Sequence, residues 1–119
     1  MVYAIAQLWI HDAARYGRYV DRFMEVFRKY KGRVLVADES PVVLEGMWDG
    51  NKVVVLSFPD EASLREWAES PEYLQIAKDR KAGAKALIVM VQGIAGRGGA
   101  VARRGGRPVI GCAWRTRGG

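Results

Sequence analysis

The chain has few of the residues that build disulfide frameworks and metal centres. Its 119 residues include one cysteine, Cys112, and one histidine, His11. A single cysteine excludes an intrachain disulfide, which fits a reducing compartment. The sequence also lacks a Cys and His cluster with zinc spacing, a glycine-rich phosphate loop after a strand and a nucleophile elbow. We therefore expect a cytoplasmic protein with no metal or organic cofactor.

Long hydrophobic runs are also missing. No stretch approaches the roughly 18 apolar residues that span a bilayer, so no membrane association is expected. The apolar start, Val2 to Ile10, has no basic segment before it and is followed at once by His11 and Asp12. These features favour a buried strand over a signal peptide.

The basic charge is confined to the C-terminal tail. The net charge is +6, but up to Gly93 thirteen Lys and Arg residues balance all 13 acidic residues, so six tail arginines supply the excess. This distribution argues against nucleic-acid binding by the folded part. We predict one domain over residues 1–93 and a Gly/Arg-rich tail over residues 94–119. Most of the tail is expected to be disordered, and Val109 to Trp114 is the one stretch apolar enough to dock.

The first helix is predicted from aromatic and aliphatic residues at three- and four-residue spacing. Asp12 stands where an N-cap carboxylate is usual. The apolar positions then recur from Tyr16 and Tyr19 to Tyr30, with charged residues between them, which indicates one buried face. Gly32 is expected to end the helix in a conformation of positive φ.

Three further strands are predicted in the middle of the chain. Val34 to Ala37 is the second strand and Val42 to Trp48 the third. Asp49 and Gly50 give a type I′ hairpin signal that leads into Val53 to Phe58.

Two helices and a last strand complete the pattern. Pro59, Asp60 and Glu61 stop the sheet and cap a short helix that carries Trp67. Ser70 and Pro71 then start a second helical segment, and Ala86 to Val91 supplies the last strand.

This order of elements predicts an α+β fold. It is the split β-α-β arrangement of ferredoxin-like folds, with helices on one face of an antiparallel sheet. The other sheet face then lacks cover, although Val53 to Leu56 and Leu87 to Val91 are apolar on both faces. We expect a homodimer packed through these sheet faces.

Short motifs along Val2 to Gly93 point to a known family. They are Tyr3-Ala4-Ile5-Ala6-Gln7, Asp12 with Tyr16 and Tyr19, Gly32-Arg33, Glu45-Gly46-x-Trp48, Phe58-Pro59, Ala62, Trp67, Ser70-Pro71-Glu72-Tyr73 and Arg80. Over this range the chain resembles the domain of unknown function 1330 family. Lys31 departs from it, because the family usually has a glycine there. The resemblance implies a dimeric α/β barrel, related in fold to cofactor-independent antibiotic-biosynthesis monooxygenases, muconolactone isomerases and stress-responsive barrel proteins.

Three residues are candidates for acid–base chemistry: Asp12, His11 and Glu45. A carboxylate just before an amphipathic run is usually a helix cap, and this interpretation of Asp12 is favoured over a general base. His11 titrates near neutrality and forms a candidate dyad with Asp12, although a lone loop histidine is more often incidental.

Charged residues on core elements form a second group of candidates. Arg33, Glu45 and Arg80 need either a partner or a solvated site, so they are structural ion pairs or substrate anchors. On the predicted third strand, Glu45 and Trp48 fall on opposite faces.

Aromatic residues complete the candidate site. Tyr16, Tyr19, Trp67 and Tyr73 are predicted to project toward the sheet, either as plain core or as the wall of a small-molecule pocket beside Arg80. Together with Arg33 and Trp48 they are the candidate ligand-binding residues. Two functions stay open: binding or transforming a small polar or aromatic molecule, with isomerase or monooxygenase-like activity by fold analogy, or a non-catalytic homodimeric interaction or stress-related module.

Overall fold

The computed structural model describes residues 1–94 as three helices and a four-stranded antiparallel sheet. In chain order the elements are β1 (Val2–Ile10), α1 (Ala13–Phe27), β2 (Arg33–Asp38), β3 (Lys52–Phe58), α2 (Glu61–Ala68), α3 (Pro71–Gly83) and β4 (Ala84–Gln92). The strand order in the sheet is β2-β3-β1-β4. The predicted α+β, ferredoxin-like split β-α-β fold is confirmed.

The sheet register assigns each strand residue to one of two faces. Phe58 pairs with Val2, and Leu56 pairs with Ala4. All four side chains are buried, because directly opposed residues of an antiparallel pair share a face and the helices cover this one. The alternate residues, such as Ile5 between Val55 and Val89, lie on the uncovered face.

An aromatic cluster fills the core between the helices and the end of the sheet. Phe27 of α1 is 1% exposed, and its ring centroid lies 5.8 Å from Phe58, 5.2 Å from Trp67 and 4.9 Å from Phe23. Edge-to-face and offset stacking of this kind adds stability beyond the area buried. The cluster ties α1 and α2 to β3.

Each helix starts at a side-chain cap. Oδ1 of Asp12 accepts a hydrogen bond from the backbone N of Arg15 at 3.1 Å, and Oδ1 of Asp60 accepts one from Ser63 N at 2.8 Å. Oγ of Ser70 accepts one from Tyr73 N at 3.1 Å. The predicted starts of all three helices are therefore confirmed, and Asp12 is a helix cap.

The predicted third strand, Val42 to Trp48, is wrong. This segment forms no strand, and its side chains are largely exposed, with Met47 at 94%. Both edges of β3 are already taken by β1 and β2, so the segment cannot pair with β3, its predicted hairpin partner. Gly46, at φ 88°, adds a left-handed residue in its middle.

The predicted hairpin at Asp49 and Gly50 is also wrong. A type I′ turn needs positive φ at both central residues, and neither residue has it. The chain is instead held to β1 by Asn51, whose backbone N donates to Leu8 O at 2.8 Å and whose Oδ1 accepts from Ile10 N at 2.6 Å.

Gly32 has a different role from the one predicted. α1 ends at Phe27, and Gly32 does not have positive φ. The residue is needed for space: a Cβ on Gly32 would lie 2.5 Å from Cε2 of Phe58 and closer still to Cζ of Phe27. The rings of Phe27, at the end of α1, and Phe58, on β3, therefore pack directly against the backbone of Gly32.

A pair of glycine-to-alanine substitutions tests this packing with opposite expected signs. Gly32→Ala forces the aromatic rings apart and is expected to lower the free energy of unfolding by about 1–3 kcal/mol. Gly17→Ala, in the middle of α1 with nothing within 4 Å of the new Cβ, is expected to raise it by about 0.5–1 kcal/mol. Urea denaturation of both variants measures the difference. Equal effects would contradict the packing role of Gly32.

The predictions for the C-terminal tail, including disorder of residues 94–119 and docking of Val109 to Trp114, fall almost wholly outside the described residues. Within residues 1–94, no helix combines the length and apolar character needed for a membrane span.

Candidate functional site

A cavity of about 460 Å³ lies between the helix-covered face of the sheet and the three helices. Its floor includes one row of paired residues that crosses all four strands: Ala37, Val54, Ala6 and Ile88. Two of these four side chains are methyl groups, which extend less far from the sheet than the rings of the aromatic cluster and so leave space beneath the helices. The space is within the range of small-molecule sites.

Four predicted aromatic residues line this cavity: Tyr16 and Tyr19 from α1, Trp67 from α2 and Tyr73 from α3. All four are buried. The hydroxyls of Tyr19 and Tyr73 are hydrogen-bonded to each other at 3.0 Å, and the rings of Trp67 and Tyr73 have centroids 4.3 Å apart. Core and pocket are thus the same residues.

Arg80 also lines the cavity, as predicted. Pro71 sets the first turn of α3, so Tyr73, Ala77 and Arg80 fall on one stripe of the helix. Nε of Arg80 donates a hydrogen bond to the hydroxyl of Tyr73 at 3.3 Å, and its guanidinium carbon lies 5.9 Å from the centre of the Tyr19 ring. Among the described residues Arg80 forms no ion pair, so the structural ion-pair interpretation does not apply there.

Lys52 is a lining residue that the sequence reasoning missed. Its side chain is 9% exposed, its Nζ lies 3.7 Å from Oε2 of Glu39, and the same atom lies 5.0 Å from the centre of the Tyr16 ring. The signal was present: Lys52 alternates with Val54, Leu56 and Phe58 on the buried face of β3. Lys52 lies at the start of this apolar row, so the methylene groups of its side chain are buried in the core while its ammonium group reaches Glu39.

The charge lining the cavity is of one sign. Lys52, Arg80 and Lys81 are its charged lining residues, and no carboxylate lines it. Burial raises the pKa of Tyr16 to about 12, with the Arg80 charge opposing the shift. Burial also raises the pKa of Tyr19, reinforced by the neighbouring Tyr73. The cavity therefore presents cations and protonated phenols on apolar walls.

The other predicted site residues do not line the cavity. His11 and Asp12 are exposed at the start of α1, and Asp12 serves as its cap. Arg33 is exposed on β2, and Glu45 is exposed on the segment between β2 and β3 rather than on a strand. Neither Arg33 nor Glu45 forms an ion pair within residues 1–94. The structure does not bring the acid–base candidates together with the aromatic residues.

Trp48 is partly buried, again off the strand on which it was predicted. Its indole Nε1 is buried without a hydrogen-bond partner among the described residues, and the same is true of Nε1 of Trp67. Within residues 1–94, no group of three or more His, Cys, Asp or Glu side chains is placed to hold a metal ion.

Residues 1–94 match the family described as domain of unknown function (DUF1330). No curated protein matches the sequence. Among solved structures, a protein of unknown function from Rhodopseudomonas palustris superimposes with a TM-score of 0.67 at 18% identity, covering 77% of this chain and 81% of that one.

Two other solved structures share the fold. SnoaB, a cofactor-independent oxygenase from Streptomyces nogalater, has a TM-score of 0.55 at 15% identity over 77% of this chain and 91% of its own. A dimeric ferredoxin-like protein of unknown function from Jannaschia sp. CCS1 has a TM-score of 0.60 at 13% identity over 77% of this chain and 98% of its own. At these identities the likeness shows the fold alone.

Proposed function

This chain belongs to the domain of unknown function (DUF1330) family, whose description names no chemistry, so we propose a function from the cavity itself. The protein binds or transforms a small aromatic or polar molecule that carries an acidic group. One observation carries the proposal. An apolar cavity of about 460 Å³ is lined by three cations and no carboxylate. Apolar walls favour a hydrophobic frame. Lys52 already pairs with Glu39, but Arg80 forms no ion pair among the described residues and therefore favours an anion.

Arg80 is the residue proposed to hold the acidic group. A guanidinium offers planar, bidentate recognition of a carboxylate or enolate oxygen pair, and Tyr73 fixes its Nε. The aromatic rings of Tyr16, Tyr19 and Trp67 pack against the frame of the ligand. Since side chains supply every charge and donor in this scheme, it requires no metal or organic cofactor.

Chemistry in the cavity, of the kind named for the Streptomyces oxygenase, enters the proposal by fold analogy only. The predicted acid–base residues Asp12, His11 and Glu45 lie off its walls, so we assign them no step. A cytoplasmic location remains part of the proposal, because a chain with one cysteine gains no intrachain disulfide from an oxidising compartment.

A homodimer through the sheet faces is the second part of the proposal. On the uncovered face, Val36, Val55, Ile5 and Val89 form a row of direct pairs across all four strands. Val36 and Val89 are exposed, and Ile5 and Val55 between them are half-buried. An apolar row of this length without a covering layer is typical of an interface, and one structural neighbour is described as dimeric. The same row supports the alternative function, a non-catalytic homodimeric interaction or stress-related module.

Removal of Arg80 tests the ligand proposal. We expect 2-naphthoic acid to bind the purified protein, and we expect Arg80→Ala to weaken that binding by at least about tenfold, because a hydrogen-bonded charge is lost. Quenching of tryptophan fluorescence measures the affinity, and thermal unfolding measures the stability, which should fall only modestly.

Arg65→Ala is the matched control, since Arg65 is exposed on α2 and pairs with Glu61 and Glu69 away from the cavity. It should leave the affinity unchanged. If Arg80→Ala unfolds the protein, or if 2-naphthylmethylamine binds as tightly as the acid, the proposed anion site is wrong.

A further inference from the structure

Tyr19 and Tyr73 form a buried pair of phenols on the cavity wall. Each residue is 7% exposed, and their hydroxyls are 3.0 Å apart. The neighbouring Nε of Arg80 lies 3.3 Å from the Tyr73 oxygen. The cluster thus contains two phenols and one guanidinium on the cavity wall.

This cluster has more hydrogen-bond donors than acceptors in use. A guanidinium only donates hydrogen bonds, and each phenol carries one proton. One phenol proton is used in the bond between the tyrosines, whichever hydroxyl donates it. Arg80 adds a further donor and no acceptor, so one phenol proton has no acceptor within residues 1–94.

A buried donor without an acceptor is costly, about 1–3 kcal/mol. The other polar side chains on the walls do not relieve the imbalance. The ammonium groups of Lys52 and Lys81 are donors, as is the indole Nε1 of Trp67, which itself has no partner among the described residues. The hydroxyl of Tyr16 can accept as well as donate, but within residues 1–94 it forms no hydrogen bond with Tyr19 or Tyr73. Donors therefore outnumber acceptors among the side chains that line the cavity.

We propose that Tyr19, Tyr73 and Arg80 form a subsite for one oxygen atom of the ligand. This atom is a phenolate, enolate or carbonyl oxygen that accepts a hydrogen bond from the phenol whose proton is not used between the two tyrosines. This inference rests on the proposed ligand-binding function and names the atom that the cavity recognises. The guanidinium behind Tyr73 polarises the pair, so a developing negative charge on the oxygen is stabilised without ionising either tyrosine.

The Tyr19 hydroxyl of the subsite stays protonated at neutral pH. Burial raises the pKa of Tyr19 above the ordinary value for a phenol, and the neighbouring Tyr73 raises it further. For an acid whose pKa is raised on folding, the neutral form is favoured in the folded state. Stability from this source is therefore present below the unfolded pKa near 10 and is lost as the pH rises beyond it.

The test uses para-nitrophenol, whose absorbance reports its own ionisation, and para-nitroanisole, which has the same frame without an ionisable oxygen. The wild-type protein is expected to bind para-nitrophenolate about tenfold more tightly than para-nitroanisole. The double variant Tyr19→Phe with Tyr73→Phe keeps Arg80 but should lose most of this preference, and its bound probe should ionise at a higher pH than in the wild type, by up to about one unit.

The single variants give a distinctive pattern. Tyr19→Phe and Tyr73→Phe each remove the mutual bond but leave one phenol proton, so each should lose less affinity than the double variant. Tyr30→Phe is the control, because its hydroxyl donates to Glu72 outside the cavity. It should change neither affinity nor probe ionisation.

The outcomes separate this inference from the ligand proposal. Equal binding of both probes, or a double variant that matches the wild type in affinity and probe ionisation, would overturn the subsite while leaving a ligand cavity. Binding of neither probe would overturn the subsite and the ligand cavity together. Circular dichroism confirms that each variant is folded.

Discussion

Phe27→Ala is expected to lower the free energy of unfolding by about 3–5 kcal/mol. The side chain is 1% exposed and contacts three other aromatic rings, so truncation removes both its buried area and its ring contacts. Domains of this size are stable by about 5–15 kcal/mol, so the loss is a large share of the total. The melting temperature should fall by at least about 12 °C.

Urea denaturation followed by circular dichroism checks this value, at one fixed protein concentration because dimerisation would link stability to concentration. Val20→Ala on the same helix is the matched control, since Val20 is exposed, and it should cost less than about 0.5 kcal/mol. A loss below about 1 kcal/mol for Phe27→Ala would contradict the placement of the aromatic cluster at the centre of the core.

Val89→Asp is expected to convert a wild-type dimer into a monomer that keeps its fold. Val89 is 47% exposed in the single chain, so a carboxylate there remains hydrated in the monomer. In a dimer packed through the uncovered sheet faces, the same carboxylate would be buried against an apolar surface without a partner, which costs several kcal/mol. Light scattering at micromolar concentration measures the mass.

Leu74→Asp is the control for the dimer experiment. Leu74 has nearly the same exposure, 49%, but lies on α3 at the helical side of the molecule, so this variant should stay dimeric. A monomeric wild-type protein would refute the dimer. A Val89→Asp variant that stays dimeric would move the interface elsewhere, and Leu44→Asp on the exposed segment before β3 would then be expected to dissociate it.

Local sequence signals placed the helices well because each signal acts within a few residues. The caps at Asp12, Asp60 and Ser70 are satisfied by backbone groups three residues later, so no distant part of the chain is needed to find them. The stripe of Tyr73 and Arg80 follows from helix geometry once Pro71 fixes the start.

Strand pairing could not be found in the same way. Val42 to Trp48 has the apolar composition of a strand, but a strand exists only with a neighbour, and β3 pairs with β2 and β1 instead. Glu45 and Trp48 were therefore assigned to a sheet that does not include them. Lys52 lies just before the predicted strand Val53 to Phe58, whose four consecutive apolar residues, Val53 to Leu56, do not show which face is buried. Its alternation with Val54 and Leu56 gains meaning once the register pairs it with Leu8 on the buried face.

The sequence by itself determined the three helices with their caps, four of the five predicted strands, the family resemblance and the aromatic and Arg80 side of the cavity. These depend on spacing along the chain, which the amino acids specify directly. The tertiary structure decided the rest: that Ala6 and Ala37 leave room above the sheet, that Lys52 lines this space, and that Tyr19 and Tyr73 meet from different helices. Contacts between residues more than 50 positions apart, such as those two hydroxyls, depend on how the elements pack, and no local pattern encodes them.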